Sequence, residues 1–116
     1  MVERSVRQRL EDIAGAVAKI DRFLAGKSFA DFCTDALVHD AVVRNLEIVS
    51  EASRHIPDDL KNLAAQTPWK DIANFGNWLR HAYDGVDDEV LWNTITDDLP
   101  KLLATVQVLL ARPDIQ

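Results

Sequence analysis

The spacing of apolar residues is helical through almost the whole chain, and this feature constrains the fold more than any other. Only four glycines and four prolines interrupt the 116 residues, and no segment sustains the alternation of apolar and polar residues that is typical of a strand. Near the N-terminus, apolar side chains recur at steps of three and four residues: Val6, Leu10, Ile13, Val17, Ile20 and Leu24. This stripe predicts a first helix of about 22 residues.

Capping residues predict where the next helices begin and end. Gly26 suits the position just after the first helix, and Ser28 or Asp31 can start a short helical turn. A long helix is predicted to begin at Thr34 or Asp35 and to end before Pro57. Its apolar residues cover more than one stripe, which favours packing against more than one neighbour.

Two more helices are predicted in the second half of the chain. After a short helix or turn in DDLKNLAAQT, Thr67 is a candidate N-cap and Pro68 a candidate first residue of the helix PWKDIANFGNWLRHAY. Gly76 lies inside this helix, where it costs about 1 kcal/mol relative to alanine, so close packing or space for a side chain must explain it. The final helix starts after Gly85, and Pro100 is expected to kink or restart it.

The helices and their short connections predict one all-α domain over residues 1–116. Four to five helices in an antiparallel, up-and-down bundle would bury the apolar stripes against one another. Hydrophobic residues make up 47% of the chain, which is enough for a single core and too many for a disordered protein.

The charge balance limits how the protein can meet a nucleic acid. The chain has 19 acidic and 13 basic residues and a net charge of −6, whereas proteins that bind nucleic acid by overall attraction are usually basic. Contact with RNA would therefore need a local basic patch.

The N-terminus and the single cysteine bear on the cellular compartment. The sequence MVERSVRQRLEDI is charged from its start, and no apolar run reaches the roughly 20 residues of a membrane span. A cytoplasmic protein without a signal peptide is therefore expected. Cys33 cannot form an internal disulfide, and it is expected in or near the core as an unreactive thiol.

Four polar residues cluster in GNWLRHAYDG, residues 76–85. At about 100° per residue, Asn77, Arg80, His81 and Tyr83 share one broad helix face. A histidine can transfer a proton near neutral pH, an arginine can hold a phosphate by two hydrogen bonds, and an asparagine can fix the imidazole or bind a ribose. This combination suits metal-independent cleavage of a phosphodiester. The alternative is an ordinary helix C-terminus, where Arg and His complement the helix dipole.

No metal site and no cofactor are predicted. His39, His55 and His81 are scattered along the chain, and the sequence contains neither an HExxH or CxxC pattern nor a glycine-rich phosphate loop.

The sequence around the polar cluster resembles the HepT-like family of the HEPN superfamily. The similarity extends over nearly the whole chain, and its specific parts are DAVVRNLEIVSEASRHIP and PWKDIANFGNWLRHAYDGVDDEVLW. The resemblance implies an all-α bundle that pairs as a homodimer and acts as a ribonuclease toxin. It also implies a partner, a minimal nucleotidyltransferase antitoxin that silences the toxin by transferring AMP onto the motif tyrosine.

The family motif implies a role for individual residues. It consists of an arginine, an asparagine or other polar residue, a short spacer, a histidine, one further residue and a tyrosine. By position, Asn77 matches the polar residue, His81 the histidine and Tyr83 the modified tyrosine. The motif arginine falls on Gly76, and Arg80 follows about one turn later. Either Arg80 replaces the missing cation, with Gly76 leaving room for its side chain, or the protein has lost cleavage and retains dimerisation or partner binding.

Several other residues have alternative interpretations. Arg44, with Asn45 and Glu51, matches a family segment and could line the same cleft, but an Arg–Glu structural pair or a dimer contact is the alternative. Trp69 and Trp92 are expected to pack in the core or in an interface rather than to stack on bases. Asp87 and the acidic residues after it are expected to cap the last helix rather than to bind a metal.

Three functions remain open from the sequence. The first is an endoribonuclease toxin that acts as a dimer through Arg80, His81 and Asn77, with Tyr83 as the regulatory site. The second is a non-catalytic helical module that binds a partner nucleotidyltransferase. The third is a structural adaptor without such a partner, which a neighbouring gene of a different kind would favour.

Overall fold

All regular secondary structure in the described part of the chain is helical, which confirms the all-α prediction. The computed structural model describes residues 3–82 and 85–116. Its α-helices are α1 (Val6–Leu24), α2 (Phe29–Thr34), α3 (Ala36–Arg54), α4 (Asp58–Leu63), α5 (Trp69–His81), α6 (Asp88–Asn93) and α7 (Leu99–Leu110). A π-helical segment, Thr94–Asp98, joins α6 to α7.

The helices α2 and α3 begin at capping residues that the sequence indicates, and α1 begins at one that was not predicted. Ser5 and Ser28 each form a capping box at the start of α1 and α2. The Asp35 side chain accepts a hydrogen bond from the Val38 N–H at the start of α3. Gly26, after α1, has a φ of 73°, a left-handed conformation that glycine adopts without strain.

The start of α5 differs from the prediction by one residue. Pro68 occupies the N-cap position, and Trp69, rather than Pro68, is the first helical residue. The predicted N-cap, Thr67, instead hydrogen-bonds through its hydroxyl to the hydroxyl of Thr105 on α7, at 3.2 Å. A tertiary contact therefore takes the hydroxyl group that local capping would have used.

Contacts between the helices establish the up-and-down arrangement. Arg7, at the start of α1, donates to the Leu110 carbonyl at the end of α7, so these two helices run antiparallel. Arg54, at the end of α3, contacts Ala73 of α5, whereas Ser50, about one turn earlier in α3, contacts Gly76, about one turn later in α5. The helices α3 and α5 are therefore also antiparallel.

The core lies between α1, α3 and α7, and α5 packs against α3. Trp69 is buried at the start of α5 and donates from its ring N–H to the Ala64 carbonyl. Trp92 packs against the rings of Phe29 and Phe32. Both tryptophans are thus packing residues, which confirms the structural interpretation. The fully buried core side chains are Leu10, Ile13, Ile20, Phe32, Val42, Leu91 and Val106.

Cys33 is exposed, so the expectation of a core position is wrong. It lies near the end of the six-residue helix α2, whose buried residue is the preceding Phe32. Desolvation, and secondly the Asp88 carboxylate beside it, raise the pKa of the Cys33 thiol above its ordinary value. The thiol is therefore neutral at pH 7, and the prediction that it is unreactive agrees with this direction.

Pro100 is accommodated by the π-helical segment that precedes it. Proline has no N–H to donate, and its ring would clash with the carbonyl four residues earlier in a regular α-helix. The Leu99 N–H instead reaches back five residues to the Thr94 carbonyl, which widens the helix before the proline. The final helical path thus continues to Leu110 without a stop.

Candidate active site

The predicted catalytic residues lie on the last turn of α5 and are exposed. Asn77, Arg80 and His81 fall within five consecutive residues, and α5 ends at His81. Tyr83, the predicted modification site, lies outside the described residues. The side chains of the first three can therefore meet a ligand that approaches from solvent.

Asn77 contacts both of the other two residues. Its side-chain oxygen accepts a hydrogen bond from Nη2 of Arg80. Its main-chain carbonyl accepts a hydrogen bond from Nδ1 of His81, at 2.8 Å. These two contacts are compatible with the hypothesis that Asn77 orients the imidazole or the cation. The Asn77 side chain holds the guanidinium of Arg80, and the Asn77 backbone holds the imidazole of His81.

The contact to the main-chain carbonyl determines the histidine tautomer. A carbonyl oxygen can only accept, so Nδ1 of His81 must carry the hydrogen. In the neutral imidazole, Nε2 then has the free lone pair and can accept a proton from a substrate. This is the arrangement that a general base requires.

Gly76 is required by the close approach of α3 and α5. A Cβ atom at this position would lie 2.9 Å from Cβ of Ser50 and closer still to its hydroxyl oxygen. The Gly76 N–H donates to the Ser50 hydroxyl at 3.0 Å, and that hydroxyl donates to the Ala73 carbonyl at 2.9 Å. Close packing, one of the two reasons that the sequence suggested, therefore accounts for the glycine.

Space for a neighbouring side chain, the second reason suggested for Gly76, also has support. Nη1 of Arg80 lies 3.4 Å from the place where a Gly76 Cβ would be. The Arg80 side chain thus folds back along α5 towards the position at which the family motif has its arginine. Glycine accommodates the hydroxyl of Ser50 and the guanidinium of Arg80 around the same backbone position.

Arg44 lies beside this turn and forms an Arg–Glu pair, one of the alternatives that the sequence left open. Its guanidinium is 3.6 Å from the carboxylate of Glu47 on the same helix, and its side chain is 71% exposed. Arg44 and Arg80 line the same surface depression, of about 280 Å³, between α1, α3 and α5. Arg9 of α1 also lines it. Arg9 could not be selected from the sequence, because nothing in the order of residues indicates which turn of α1 faces α5.

A larger groove, of about 780 Å³, lies on another side of α5. Its lining residues include Ile72, Phe75, Leu99 and Leu102, and it contains none of Asn77, Arg80 and His81. The polar lining of this groove includes Asp71, Asp98 and Lys101 but neither a histidine nor an arginine, whereas His81 and Arg80 are adjacent on the exposed turn.

The three histidines have separate partners. His39 hydrogen-bonds to Asp88 at 2.6 Å, and its ring stacks on Phe32. His55 lies 3.3 Å from Glu51 on the surface. Among residues 3–82 and 85–116, no three histidine, cysteine or acidic side chains are grouped so that they could hold a metal ion.

Comparison with known proteins places the chain in a family. The family described as "Ribonuclease HepT-like" matches residues 13–109. This protein belongs to the HepT-like family. A protein of Thermococcus cleftensis named "Probable ribonuclease HepT" is 45% identical to it over 101 residues, which cover 87% of this chain and 92% of that protein.

Other HepT-like relatives align over similar lengths. A protein of Methanocaldococcus jannaschii, named as a putative RNase, is 32% identical over 93% of this chain and 99% of its own length. A protein of Caldanaerobacter subterraneus with the same description is 33% identical over 94% of this chain and 97% of its own length. No solved structure gives a significant match to this HepT-like chain. None of the helices in its described ranges is both long enough and apolar enough to span a bilayer.

Proposed function

We propose that this protein is a metal-independent endoribonuclease that cleaves RNA at the last turn of α5. The observation that carries the proposal is the His81 imidazole, whose Nδ1 is fixed by the Asn77 carbonyl and whose Nε2 is left to accept a proton, next to the Arg80 guanidinium. The names of the relatives, which describe ribonucleases, support RNA as the substrate.

The chemistry assigns each side chain one role. His81 takes the proton of the ribose 2′-hydroxyl, and the freed oxygen forms a bond to the adjacent phosphorus. The bond from phosphorus to the 5′-oxygen breaks, and this oxygen takes a proton from an imidazolium or from water. Arg80 binds the phosphate oxygens as their charge grows, and Asn77 holds Arg80 in place. The products are a 2′,3′-cyclic phosphate and a 5′-hydroxyl end.

The decisive experiment replaces the imidazole. His81→Ala is expected to reduce RNA cleavage roughly 100- to 10,000-fold, the range by which a positioned acid–base group accelerates a reaction. Cleavage is measured on labelled RNA in the presence of a chelator, with analysis of the product ends. His55→Ala is the matched control, because His55 is also exposed at a helix end but lies against Glu51. Cleavage by His81→Ala at the rate of the parent protein would refute the assignment.

The active form that we propose is a homodimer. The catalytic turn is exposed, so a second copy of the chain can approach it and supply a second His81 and Arg80 around the same phosphodiester. Light scattering of the purified protein is expected to give twice the mass of one chain. A monomer that cleaves RNA with undiminished activity on dilution would contradict this part of the proposal.

We further propose that the protein is the toxin of a toxin–antitoxin pair, silenced by AMP transfer to Tyr83. An adenylyl group two residues from His81 would add bulk and negative charge beside the RNA phosphates. Co-expression with a nucleotidyltransferase encoded by a neighbouring gene is expected to raise the intact mass by one or more adenylyl groups and to relieve growth arrest. A mass gain that persists in Tyr83→Phe would place the modification elsewhere.

One observation favours a second candidate function. Gly76 stands where the family motif has its arginine, and a protein without that cation could bind and be modified by a nucleotidyltransferase without cleaving RNA. In that case the purified protein would leave RNA intact under all conditions and would still co-purify with the nucleotidyltransferase. RNA cleavage that depends on both Arg80 and His81 would exclude this candidate.

A further inference from the structure

We propose that the depression lined by Arg9, Arg44 and Arg80 binds an RNA backbone phosphate that neighbours the scissile one. This inference rests on the proposed ribonuclease function and extends its site from α5 across α3 to α1. The depression has a volume of about 280 Å³, and Ile48 and Ala52 also line it.

The arginines in the first turns of α1 and just before it differ in what they contact. Arg4 forms a two-point ion pair with Asp12, at 2.9 and 2.7 Å. Arg7 donates to the carbonyls of Leu110 and Ile115. Arg9 is half-buried, and within the described ranges its guanidinium has neither an ion pair nor a hydrogen bond. A half-buried cation without a protein partner is a group that a ligand anion would satisfy.

The acidic residues around the depression have cations of their own. Asp12 is held by Arg4, and Glu47 lies 3.6 Å from Arg44. Glu51 is flanked by His55 at 3.3 Å and by Arg54 at 3.7 Å. These pairs leave the charges of Arg9 and Arg80 uncompensated. The arginines in and around the depression, Arg4, Arg9, Arg44, Arg54 and Arg80, thus outnumber its three carboxylates, on a protein whose net charge is −6.

The depression is continuous with the catalytic turn through Arg80. This side chain lines the depression and is held by Asn77, whose carbonyl holds the imidazole of His81. A phosphate on Arg9 would therefore belong to the same strand as a phosphate beside His81. Guanidinium groups bind phosphate oxygens through paired N–H donors, which suits the RNA backbone irrespective of base.

The experiment compares substrates that differ in their number of phosphates. A dinucleoside monophosphate has one phosphate and can fill only the catalytic position, whereas an oligonucleotide of eight or so residues can also reach Arg9. Arg9→Gln is expected to raise the KM for the oligonucleotide about tenfold and to leave its kcat unchanged, since a contact made equally in the ground and transition states affects only binding. Cleavage of the dinucleoside monophosphate is expected to stay at the rate of the parent.

The matched control is Arg22→Gln, which removes an exposed arginine from the last turn of the same helix, outside the depression. It is expected to change neither substrate's KM. Arg9→Lys keeps the charge and is expected to recover part of the lost affinity. An equal loss with both substrates, or no loss with either, would overturn the second phosphate position while leaving the proposed ribonuclease function in place.

A binding measurement separates this inference from the proposed function. Anisotropy of a labelled single-stranded RNA is measured with His81→Ala and with His81→Ala/Arg9→Gln, so that cleavage plays no part. The slope of log Kd against log salt is expected to fall by about 0.7 when Arg9 is lost, the value for one phosphate contact on a single strand. Identical affinity and slope in the two proteins would overturn the inference, whether or not the parent protein cleaves RNA.

Discussion

Asn77 divides its polar groups between two neighbours on the same helix turn. The side-chain oxygen holds Arg80, and the main-chain carbonyl holds His81. A substitution at this position can remove only the first contact, because every residue has a main-chain carbonyl. The positions of the cation and of the imidazole are therefore separable by mutation.

This separation gives a prediction for Asn77→Ala. We expect a reduction in kcat/KM of about tenfold, because Arg80 loses the hydrogen bond that orients it while the His81 tautomer is kept. In an Arg80→Ala background, the same substitution should have little further effect. Steady-state kinetics of the four proteins in this double-mutant cycle make the test. Additive losses would mean that Asn77 acts on the substrate independently of Arg80.

At the scale of the helices, the contact between α3 and α5 depends on one pair of small residues. The Ser50 hydroxyl bridges the Gly76 N–H and the Ala73 carbonyl, and Arg54 donates to the same carbonyl at 2.7 Å. The helix backbones approach so closely that a methyl group on Gly76 would overlap the Ser50 side chain. Restoring an arginine at position 76 would face the same overlap.

The overlap between a side chain at position 76 and Ser50 predicts that substitutions at these two positions have coupled effects on stability. Gly76→Ala is expected to lower the free energy of unfolding by about 1–3 kcal/mol, because overpacking outweighs the better helix propensity of alanine. In a Ser50→Gly background, the same change should be close to neutral or stabilising. Urea denaturation of the four proteins measures this coupling.

The chain contains a matched control for this prediction. Gly15 lies within α1, and a Cβ atom there would have no neighbour within 4 Å. Gly15→Ala should therefore stabilise the protein by about 0.5–1 kcal/mol. If Gly76→Ala behaved like Gly15→Ala, close helix packing would not be the reason for the glycine.

At the scale of the whole molecule, the antiparallel path brings distant parts of the chain together around the first turns of α1. The N-terminal turn meets the C-terminal segment, where Arg7 donates from its backbone to the Gln116 carbonyl and from its side chain to Leu110 and Ile115. The segment from Arg4 to Asp12, which spans about two helical turns, also includes Arg9, and Arg9 lines the depression beside Arg80. The first helix thus contributes to stability and to the proposed RNA contact.

The hydrogen bonds of the Arg7 side chain predict that removing this side chain lowers the stability of the protein. Arg7→Ala is expected to lower the free energy of unfolding by about 1 kcal/mol, the typical net value of a hydrogen bond, because its two bonds are long at 3.3 and 3.4 Å. Arg22→Ala, at the exposed end of the same helix, should be within about 0.5 kcal/mol of the parent. Thermal and urea unfolding make the comparison, and equal losses for the two variants would contradict the structural role of Arg7.

Much of the helical framework was predictable because its signals are local. The apolar stripe of α1, the caps at Ser28 and Asp35 and the clustering of Asn77 with His81 each involve residues only a few positions apart. Within a helix, residues three or four apart are neighbours by geometry alone. The resemblance to the HepT-like family also depended on contiguous segments, one in α3 and one around α5, and the match over residues 13–109 establishes the family.

The tertiary structure alone decided which side chains meet across helices. It moved the Thr67 hydroxyl from a cap to Thr105, left Cys33 exposed and brought Arg9 into the depression that Arg80 lines. These outcomes depend on the rotation and crossing of packed helices, which no window of neighbouring residues specifies. The sequence by itself determined the helices and the residues of the candidate catalytic turn, while packing determined what surrounds that turn.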